Sequence, residues 1–186
     1  FRPLGSCQIW RTLVARIMLH RFQRLNLPLH QSNHTYRKAR TIFDPVVALD
    51  AHLALQHDKI GDAYVYISDV HKAFDSVPHV LCDAILAEYG LLCEYTSYVA
   101  RKIFYIIVTA RGVSEFIAAI TGLVQGDPLS TLVFTLLSDV LCRVANRAVP
   151  RIYFSQFVDD VHALCFGRQE LRAFHREITL FWASLG

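Results

Sequence analysis

The sequence of 186 residues has no long uncharged run and no closely paired cysteines, and only 19% of its residues are charged against 53% hydrophobic. Its longest stretch without a formal charge is the twelve residues 25–36, which include His, Asn and Pro and so exclude a membrane-spanning helix. The five cysteines form no CxxC pair, which favours buried thiols in a reducing compartment over a disulfide framework or a zinc site. These cysteines are Cys7, Cys82, Cys93, Cys142 and Cys165. The chain is too apolar for a disordered segment and long enough for one large domain with a core.

The start of the chain lacks an initiating Met and an apolar signal core, so we interpret the chain as an interior piece of a longer protein. Acidic residues are also missing from residues 1–43, which carry eight Lys or Arg. The rest of the chain carries eleven Lys or Arg and sixteen Asp or Glu, so the net charge of +3 conceals a division into +8 and −5. An acid-free segment of this kind favours contact with phosphate, and the alternative is a solvated helix face whose balancing acids lie elsewhere.

Hydrophobic periodicity predicts one α+β unit that begins with a basic helix. In that helix Arg11, Arg16 and Arg21 alternate with apolar residues at helical spacing, and Trp10, like Trp182, is predicted to be core. The predicted helices cover about residues 8–25, 41–56 and 78–89, a segment from 95 onward, a long helix that ends near 148, and residues 169–185. The predicted strands cover residues 63–68, 103–108, 115–120, 152–158 and 161–166.

Three carboxylates follow or connect predicted strands. Asp69 comes directly after the strand AYVYIS, and Asp159 and Asp160 lie in the tight connection between two apolar strands. Close carboxylates repel one another and are stabilised by a divalent cation, as in two-metal phosphoryl transfer. Taken alone, the Asp pair is equally explained as a solvated hairpin turn. The basic opening segment favours the interpretation as a phosphoryl-transfer site, and hard oxygen ligands favour Mg²⁺ over zinc.

Three segments carry a family resemblance. Residues 68–77 (SDVHKAFDSV) resemble reverse transcriptase motif A, residues 122–130 (GLVQGDPLS) resemble motif B, and residues 157–160 (FVDD) resemble motif C. Residues 1–4 (FRPL) with the basic helix look like the fingers segment of non-LTR (LINE-like) retrotransposon reverse transcriptases, and residues 181–186 look like the beginning of motif D. The chain thus resembles the reverse transcriptase domain of a non-LTR retrotransposon over nearly its whole length.

The resemblance implies a fold and a metal site. The implied fold is the palm of a right-hand polymerase, a small antiparallel sheet backed by helices, with a basic helical fingers segment. Asp69 and Asp159 would ligate the catalytic Mg²⁺ ions, two in number and replaceable by Mn²⁺, with Asp160 beside them in the metal site. Val158 departs from the family pattern, in which Ala or Met is commoner.

The same resemblance implies which residues contact substrates. Phe74 matches the aromatic steric gate, whose ring would clash with a ribose 2′-OH and so favours deoxynucleotides. The alternative for Phe74 is a core aromatic at the start of a helix turn. Gln125 and Gly126 match the loop that lies along the incoming nucleotide and template, where an amide and a close backbone approach are needed. Arg2 matches the fingers arginine that contacts the triphosphate, a role suited to a planar bidentate donor.

By the same resemblance, residues 1–62 form part of the fingers, and residues 63–186 form the palm with motifs A, B, C and the start of D. The thumb is expected to be absent from this chain. The implied partners are an RNA template, a DNA primer and dNTP, without a membrane, and the thumb and endonuclease domains of the same polyprotein. The resemblance implies nuclear action, while the residues themselves leave the compartment open.

Two alternatives stay open at this point. A viral-type RNA-dependent RNA polymerase shares the palm carboxylates, but such enzymes resemble one another in carrying a second acid five residues after the motif A Asp. Here that place is Phe74 and the acid follows at Asp75, which favours the reverse transcriptase. A catalytically incompetent retroelement remnant that only binds nucleic acid would keep the basic segment, and the survival of all three carboxylates argues against decay of the site.

Overall fold

The structure is a computed structural model that describes residues 9–35, 37, 39–56, 62–91, 104–119 and 121–185. Its helices are α1 (Ile9–Gln23), α2 (Phe43–Gln56), α3 (His79–Glu88), α4 (Pro128–Ala148) and α5 (Arg168–Ala183). Its strands are β1 (Tyr64–Asp69), β2 (Phe104–Tyr105), β3 (Val108–Thr109), β4 (Gly112–Val113), β5 (Ile117–Ala118), β6 (Tyr153–Phe157) and β7 (Asp160–Cys165). The predicted α+β class is confirmed.

The described residues pack into two compact units. The first unit contains the described residues up to Leu27 and those of Lys72–Val133, and the second contains those of Pro28–His71 and Phe134–Gly186. The first unit holds two short antiparallel pairs, β2 with β5 and β3 with β4, and the second holds a three-stranded sheet. Each unit combines residues from before and after the predicted boundary at residue 62. The division into fingers and palm stays a prediction.

The sheet of the second unit positions the acidic residues. Its strand order is β1–β7–β6, and both neighbouring pairs are antiparallel. The register sets Tyr64 opposite Cys165 at one end of the β1–β7 pair and Asp69 opposite Asp160 at the other. Strands β6 and β7 are joined by a two-residue connection, since Phe157 pairs with Asp160. The connection therefore lies at the same end of the sheet as Asp69, the last residue of β1.

The two faces of this sheet have different surroundings. On one face, Phe174 of α5 lies against Tyr66 and Phe154, with ring centroids 5.5 and 5.4 Å away. On the other face, His52 of α2 stacks on Tyr153 at 3.8 Å. Successive side chains of a strand point to opposite faces, so α5 and α2 pack on opposite sides of the sheet. The core lies on the α5 side and is formed by Leu141, Cys142, Ala145, Val149, Ile152, Phe154, Val161, Ala163, Cys165, Phe174 and Ile178.

Helix α4 is the one described helix that is long and apolar enough to cross a membrane by length and composition. Within its most apolar 18-residue window, 72% is buried inside the protein. This burial is that of a core helix, because a membrane span would present its apolar side chains to lipid. Pro128 begins the helix, where the missing N–H of proline is tolerated.

Most of the predicted elements are present, with bounds that differ by a few residues. The single predicted strand 103–108 is wrong, because residues 104–109 hold two two-residue strands separated by Ile106 and Ile107. Helix α1 is confirmed, but Trp10 is 76% exposed and is not a core residue of the described structure. Trp182 does pack, against Phe134 and Phe181. The helix predicted from residue 95 lies outside the described residues.

Three cysteines are described, and all are buried free thiols as predicted. Burial raises the pKa of the Cys82 thiol to about 12 and raises the pKa of Cys142 as well. These thiols therefore stay protonated near neutral pH and behave as small apolar side chains. Cys7 and Cys93 lie outside the described residues.

The α5 interface allows a test of the core. Phe174→Ala removes a fully buried ring that contacts two sheet aromatics, and we expect a loss of about 3–5 kcal/mol in the free energy of unfolding, measured by urea denaturation. Leu180→Ala on the same helix is the control, because Leu180 is 56% exposed and its truncation should change stability by about 0.5 kcal/mol or less. Equal losses for the two variants would contradict this account of the core.

Candidate metal centre

Three carboxylates meet at one end of the second unit's sheet. Asp69 ends β1, Asp160 begins β7 directly opposite it, and Asp159 lies in the turn before Asp160. One oxygen from each side chain lies within 4.8 Å of the others. The backbone N–H of Val70 donates to the carbonyl of Asp159 at 3.2 Å, which ties the turn to the end of β1. The structure therefore brings together the three residues that the sequence predicted as metal ligands.

The side chains of this cluster are accessible. Asp69 is exposed, and Asp159 and Asp160 are half-buried. An ion in solvent can therefore reach all three side chains. The neighbouring β1 side chains on the same face, Val65 and Ile67, are also exposed, at 42% and 69%. Alternating exposure along β1 thus leaves the Asp69 side of the strand open.

The donor set fits a divalent cation. All three side chains offer carboxylate oxygen, the ligand that Mg²⁺ and other hard cations prefer. Carboxylates this close repel one another, and like charges directly opposite on paired strands destabilise the sheet. A cation between them would remove that repulsion. Asp69, Asp159 and Asp160 are therefore suitable metal ligands by chemistry and by proximity.

The turn that carries Asp159 is strained. Val158 and Asp159 connect β6 to β7, and Val158 has a φ of +57°. A first turn residue with positive φ is usually glycine, asparagine or aspartate, and a β-branched side chain in this region costs about 1–2 kcal/mol. Strain of this kind persists only where the surrounding structure fixes it. Here the strained residue directly precedes Asp159 of the acidic cluster.

Sequence reasoning missed a set of buried polar residues in the second unit. They are Asn33, Thr35, Ser138, Asp139 and Gln156, each with no exposed surface. Asp139 accepts hydrogen bonds from the backbone N–H of His30 and from Arg143 Nε, and Arg143 also donates to the carbonyl of Pro28. The one sequence signal was the Ser138–Asp139 pair between the apolar residues Leu137 and Val140 of α4, which predicts a polar partner for that side of the helix.

In the first unit, the second half of motif A is bonded to the motif B loop. The backbone N–H of Leu123 donates to the carbonyl of Phe74, and that of Gly122 donates to Val77, both at 2.8 Å. His79 Nε2 lies 2.9 Å from the carbonyl of Gly122. A Cβ on Gly122 would lie 3.0 Å from the backbone oxygen of Asp75, so only glycine allows this approach.

Motif B continues into helix α4 through a capped start. Asp127 is 1% exposed, and its Oδ1 accepts the backbone N–H of Leu129 at 3.0 Å. Its Oδ2 accepts hydrogen bonds from both Nε and Nη2 of Arg11, at 3.1 and 2.7 Å. This carboxylate therefore caps the helix N-terminus and holds α1 through a charged pair. Arg16, Arg21 and Arg24 of the basic segment are exposed.

The predicted substrate-contacting residues are placed as follows. Phe74 and Gln125 are half-buried, and Gly126 is exposed with a φ of +97°, a conformation that favours glycine. All three belong to the first unit, whereas the three carboxylates belong to the second. Arg2 lies outside the described residues. Of the basic cluster after α1, Arg37 donates to the carbonyls of His30 and Asn33, both at 3.1 Å.

Comparison with known proteins identifies the family. The whole chain, residues 1–186, matches the family described as reverse transcriptase (RNA-dependent DNA polymerase). The chain belongs to the reverse transcriptase family. Enzymes of this family use divalent metal ions, in agreement with the acidic cluster. Membership also confirms the resemblance that motifs A, B and C indicated, and it does not favour the RNA-dependent RNA polymerase.

The sequence relatives are retrotransposon polyproteins. The chain is 29% identical over 176 residues to the Pol polyprotein of the type-1 retrotransposable element R2 from Bradysia coprophila, covering 86% of this chain and 19% of the relative. It is 29% identical over 184 residues to the corresponding R2 polyprotein from Nasonia vitripennis, covering 93% and 18%. The chain therefore spans about a fifth of the length of these curated relatives.

Solved structures with the same fold include telomerases. The telomerase from Candida albicans in complex with a fragment of telomeric RNA aligns over 90% of this chain and 32% of its own, with a TM-score of 0.66 and 11% identity. An apo telomerase from Candida tropicalis aligns over 90% and 36%, with a TM-score of 0.60 and 14% identity. At such identity the likeness concerns the fold alone, and it confirms the predicted right-hand polymerase architecture.

The Gly122 contact in the motif B loop generates a second prediction. Gly122→Ala must accommodate both a φ of +92° and a Cβ 3.0 Å from backbone, whereas Gly90→Ala must accommodate a φ of +68° with no atom within 4 Å. We expect Gly90→Ala to lower the free energy of unfolding by about 1–2 kcal/mol. Gly122→Ala should cost about 1–3 kcal/mol more because of the clash. Denaturant titration of both variants measures the difference, and equal costs would show that the loop can move away from Asp75.

Proposed function

We propose that this chain is the catalytic part of an RNA-directed DNA polymerase encoded by a non-LTR retrotransposon. It would transfer nucleotides from dNTP to a primer 3′-OH as part of a longer polyprotein. The observation that carries the proposal is the cluster of Asp69, Asp159 and Asp160 at the end of β1 and β7, in a chain of the reverse transcriptase family. The length of the relatives supports further domains outside this chain.

The three carboxylates would hold two Mg²⁺ ions, with Mn²⁺ able to substitute. Such ions, when bound, supply electrostatic stabilisation to the attacking hydroxyl and to the leaving pyrophosphate. The contribution of the protein is to fix the oxygen ligands before the substrates arrive. The β1–β7 register fixes Asp69 and Asp160, and the two-residue turn fixes Asp159. This preorganisation lowers the cost of reaching the reactive arrangement.

The remaining site residues would select and orient the nucleotide. Phe74 would act as the steric gate against a 2′-OH, and its backbone is fixed by the bond from Leu123. Gln125 and Gly126 would lie along the nucleotide and template, in the loop that Asp127 anchors at its far end. Arg2 would contact the triphosphate. The proposed partners are an RNA template, a DNA primer and dNTP, and the exposed arginines of α1 supply cations for nucleic-acid phosphates.

We also propose that residues 63–186 form the palm and residues 1–62 part of the fingers, with a thumb supplied elsewhere in the polyprotein. The rival function is an incompetent remnant that binds nucleic acid without polymerising it. Such a remnant has no need for three carboxylates within 4.8 Å, because repulsion among them weakens both folding and binding to phosphates. The cluster therefore favours the enzyme.

A primer-extension assay tests the proposal. Asp159→Asn in the full-length protein keeps the size of the side chain and removes its charge, so we expect extension of a DNA primer on an RNA template to fall at least about a hundredfold in kcat. Asp62→Asn is the matched control, since Asp62 is exposed just before the opposite end of β1, and it should extend normally in Mg²⁺ or Mn²⁺. A folded wild-type protein that binds primer–template and incorporates no dNTP would establish the remnant instead.

The sugar specificity gives a separate prediction. Phe74→Ala should lower the preference for dNTP over rNTP, measured as the ratio of kcat/KM values, by roughly tenfold or more because the ring no longer excludes the 2′-OH. Phe116→Ala is the control, because Phe116 is an aromatic of the same unit that is 75% exposed and lies outside the three motifs. If both variants keep the wild-type ratio, Phe74 is not the steric gate and is a packing residue of the motif A turn.

A further inference from the structure

We propose that Thr35 and Gln156 are positioning residues that set the geometry of the Asp159 carboxylate. The backbone N–H of Val158 donates to Thr35 Oγ1 at 2.9 Å, and Gln156 Nε2 donates to the carbonyl of Val158 at 3.0 Å. Both polar groups of the strained turn residue are therefore held by fully buried side chains. The inference rests on the metal-binding role proposed for Asp159.

Thr35 is itself fixed by its neighbours. Its backbone N–H donates to Asn33 Oδ1 at 3.0 Å, and Asn33 Nδ2 donates to the carbonyl of Thr135 in helix α4 at 2.9 Å. Asn33 and Thr35 have no exposed surface, so each of these bonds is made away from water, where leaving a partner unpaired is costly. The hydroxyl that accepts from Val158 thus has its position defined by the core helix.

Gln156 is fixed at its backbone and at its side chain. Its N–H donates to the carbonyl of Ser32, and its carbonyl accepts from the N–H of His34, both at 2.8 Å. Its Nε2 also lies 3.3 Å from Ser138 Oγ, and its Oε1 accepts from Cys142 Sγ at 3.5 Å. A long flexible side chain is therefore held in one conformation, with its amide directed at the turn.

These contacts act on the turn that aims the carboxylate. Val158 immediately precedes Asp159, and a valine released from both bonds would relax toward negative φ and rotate the peptide that leads into Asp159. The carbonyl of Asp159 accepts from Val70, the residue after Asp69, so such a rotation would also disturb the link between the turn and β1. Thr35 and Gln156 would thus control the spacing of the metal ligands without touching the metal.

The test measures Mn²⁺ binding by the full-length protein without substrates, using electron paramagnetic resonance, and primer extension in parallel. Thr35→Val removes the acceptor of the Val158 N–H while preserving shape, and Thr35→Ser keeps the hydroxyl. We expect roughly tenfold weaker Mn²⁺ binding for Thr35→Val, in the range typical of residues that orient metal ligands, and near wild-type binding for Thr35→Ser. Adding Val158→Gly to Thr35→Val should restore most of the loss, because glycine adopts positive φ without strain.

A matched control separates positioning from general packing. Cys165→Ala removes a buried side-chain hydrogen bond of the same sheet, from Sγ to the carbonyl of Gly167 at 3.4 Å, at the opposite end of β7 from Asp160, and it should leave Mn²⁺ affinity unchanged. If Thr35→Val does not fold, the Thr35→Val/Val158→Gly double variant decides. Recovery of folding and Mn²⁺ binding in the double variant supports the inference, and continued unfolding overturns it.

The remaining outcomes separate this inference from the proposed function. Loss of Mn²⁺ binding in Asp159→Asn with unchanged binding in folded Thr35→Val would overturn the role of Thr35 and leave the metal site intact. Unchanged Mn²⁺ binding in Asp159→Asn would overturn the metal site itself. A folded Thr35→Val protein that Val158→Gly fails to rescue would show that Thr35 acts by a route other than the turn.

Discussion

The approach of three carboxylates to within 4.8 Å of one another is the constraint on which the second unit depends. Nothing about this arrangement favours folding, because like charges repel and two of these groups are half-buried. The free energy that stabilises the folded sheet against this repulsion must come from other residues of the same sheet. It comes from the opposite face, where Phe154, Val161 and Ala163 are buried against helices α4 and α5. The register that buries these residues also sets Asp69 opposite Asp160, so packing on one face fixes the charges on the other.

A second constraint is that the turn between β6 and β7 cannot hold its shape alone. Its support is polar and buried, and a polar cluster stabilises a fold only when its hydrogen bonds are satisfied. Asn33, Thr35 and Gln156 meet this condition, because each makes hydrogen bonds of 2.8 to 3.5 Å with another of the three or with residues packed around the turn. An apolar replacement of the cluster would fill the same space but would leave the turn main chain without donors and acceptors. Hydrogen bonds are directional, so they fix the orientation of the peptide groups in the turn, whereas apolar contacts do not.

The features that could be predicted from the sequence are those with a local period or a local motif. The apolar spacing of α4 and the β-branched run of β1 predicted elements that the structure confirms, and the family motifs identified the carboxylates. The hydrogen bond from Val158 to Thr35 could not be found in this way, because its donor and acceptor lie 123 residues apart in the chain. The prediction for Trp10 failed for a related reason. Periodicity identifies an apolar face of a helix, but it does not identify what covers that face.

Each unit contains a residue with positive φ, and the two units accommodate that conformation in different ways. In the motif B loop, a positive φ and a close backbone approach are met by Gly122, whose missing side chain removes the cost. In the motif C turn, a positive φ is imposed on Val158, and two buried side chains hold it there. Glycine would relieve the strain at Val158 but would also widen the range of φ and ψ open to the turn. A residue that is both restricted and clamped occupies a narrower range of conformations. A valine held by two buried side chains therefore gives the Asp159 carboxylate that follows it fewer positions than a glycine would.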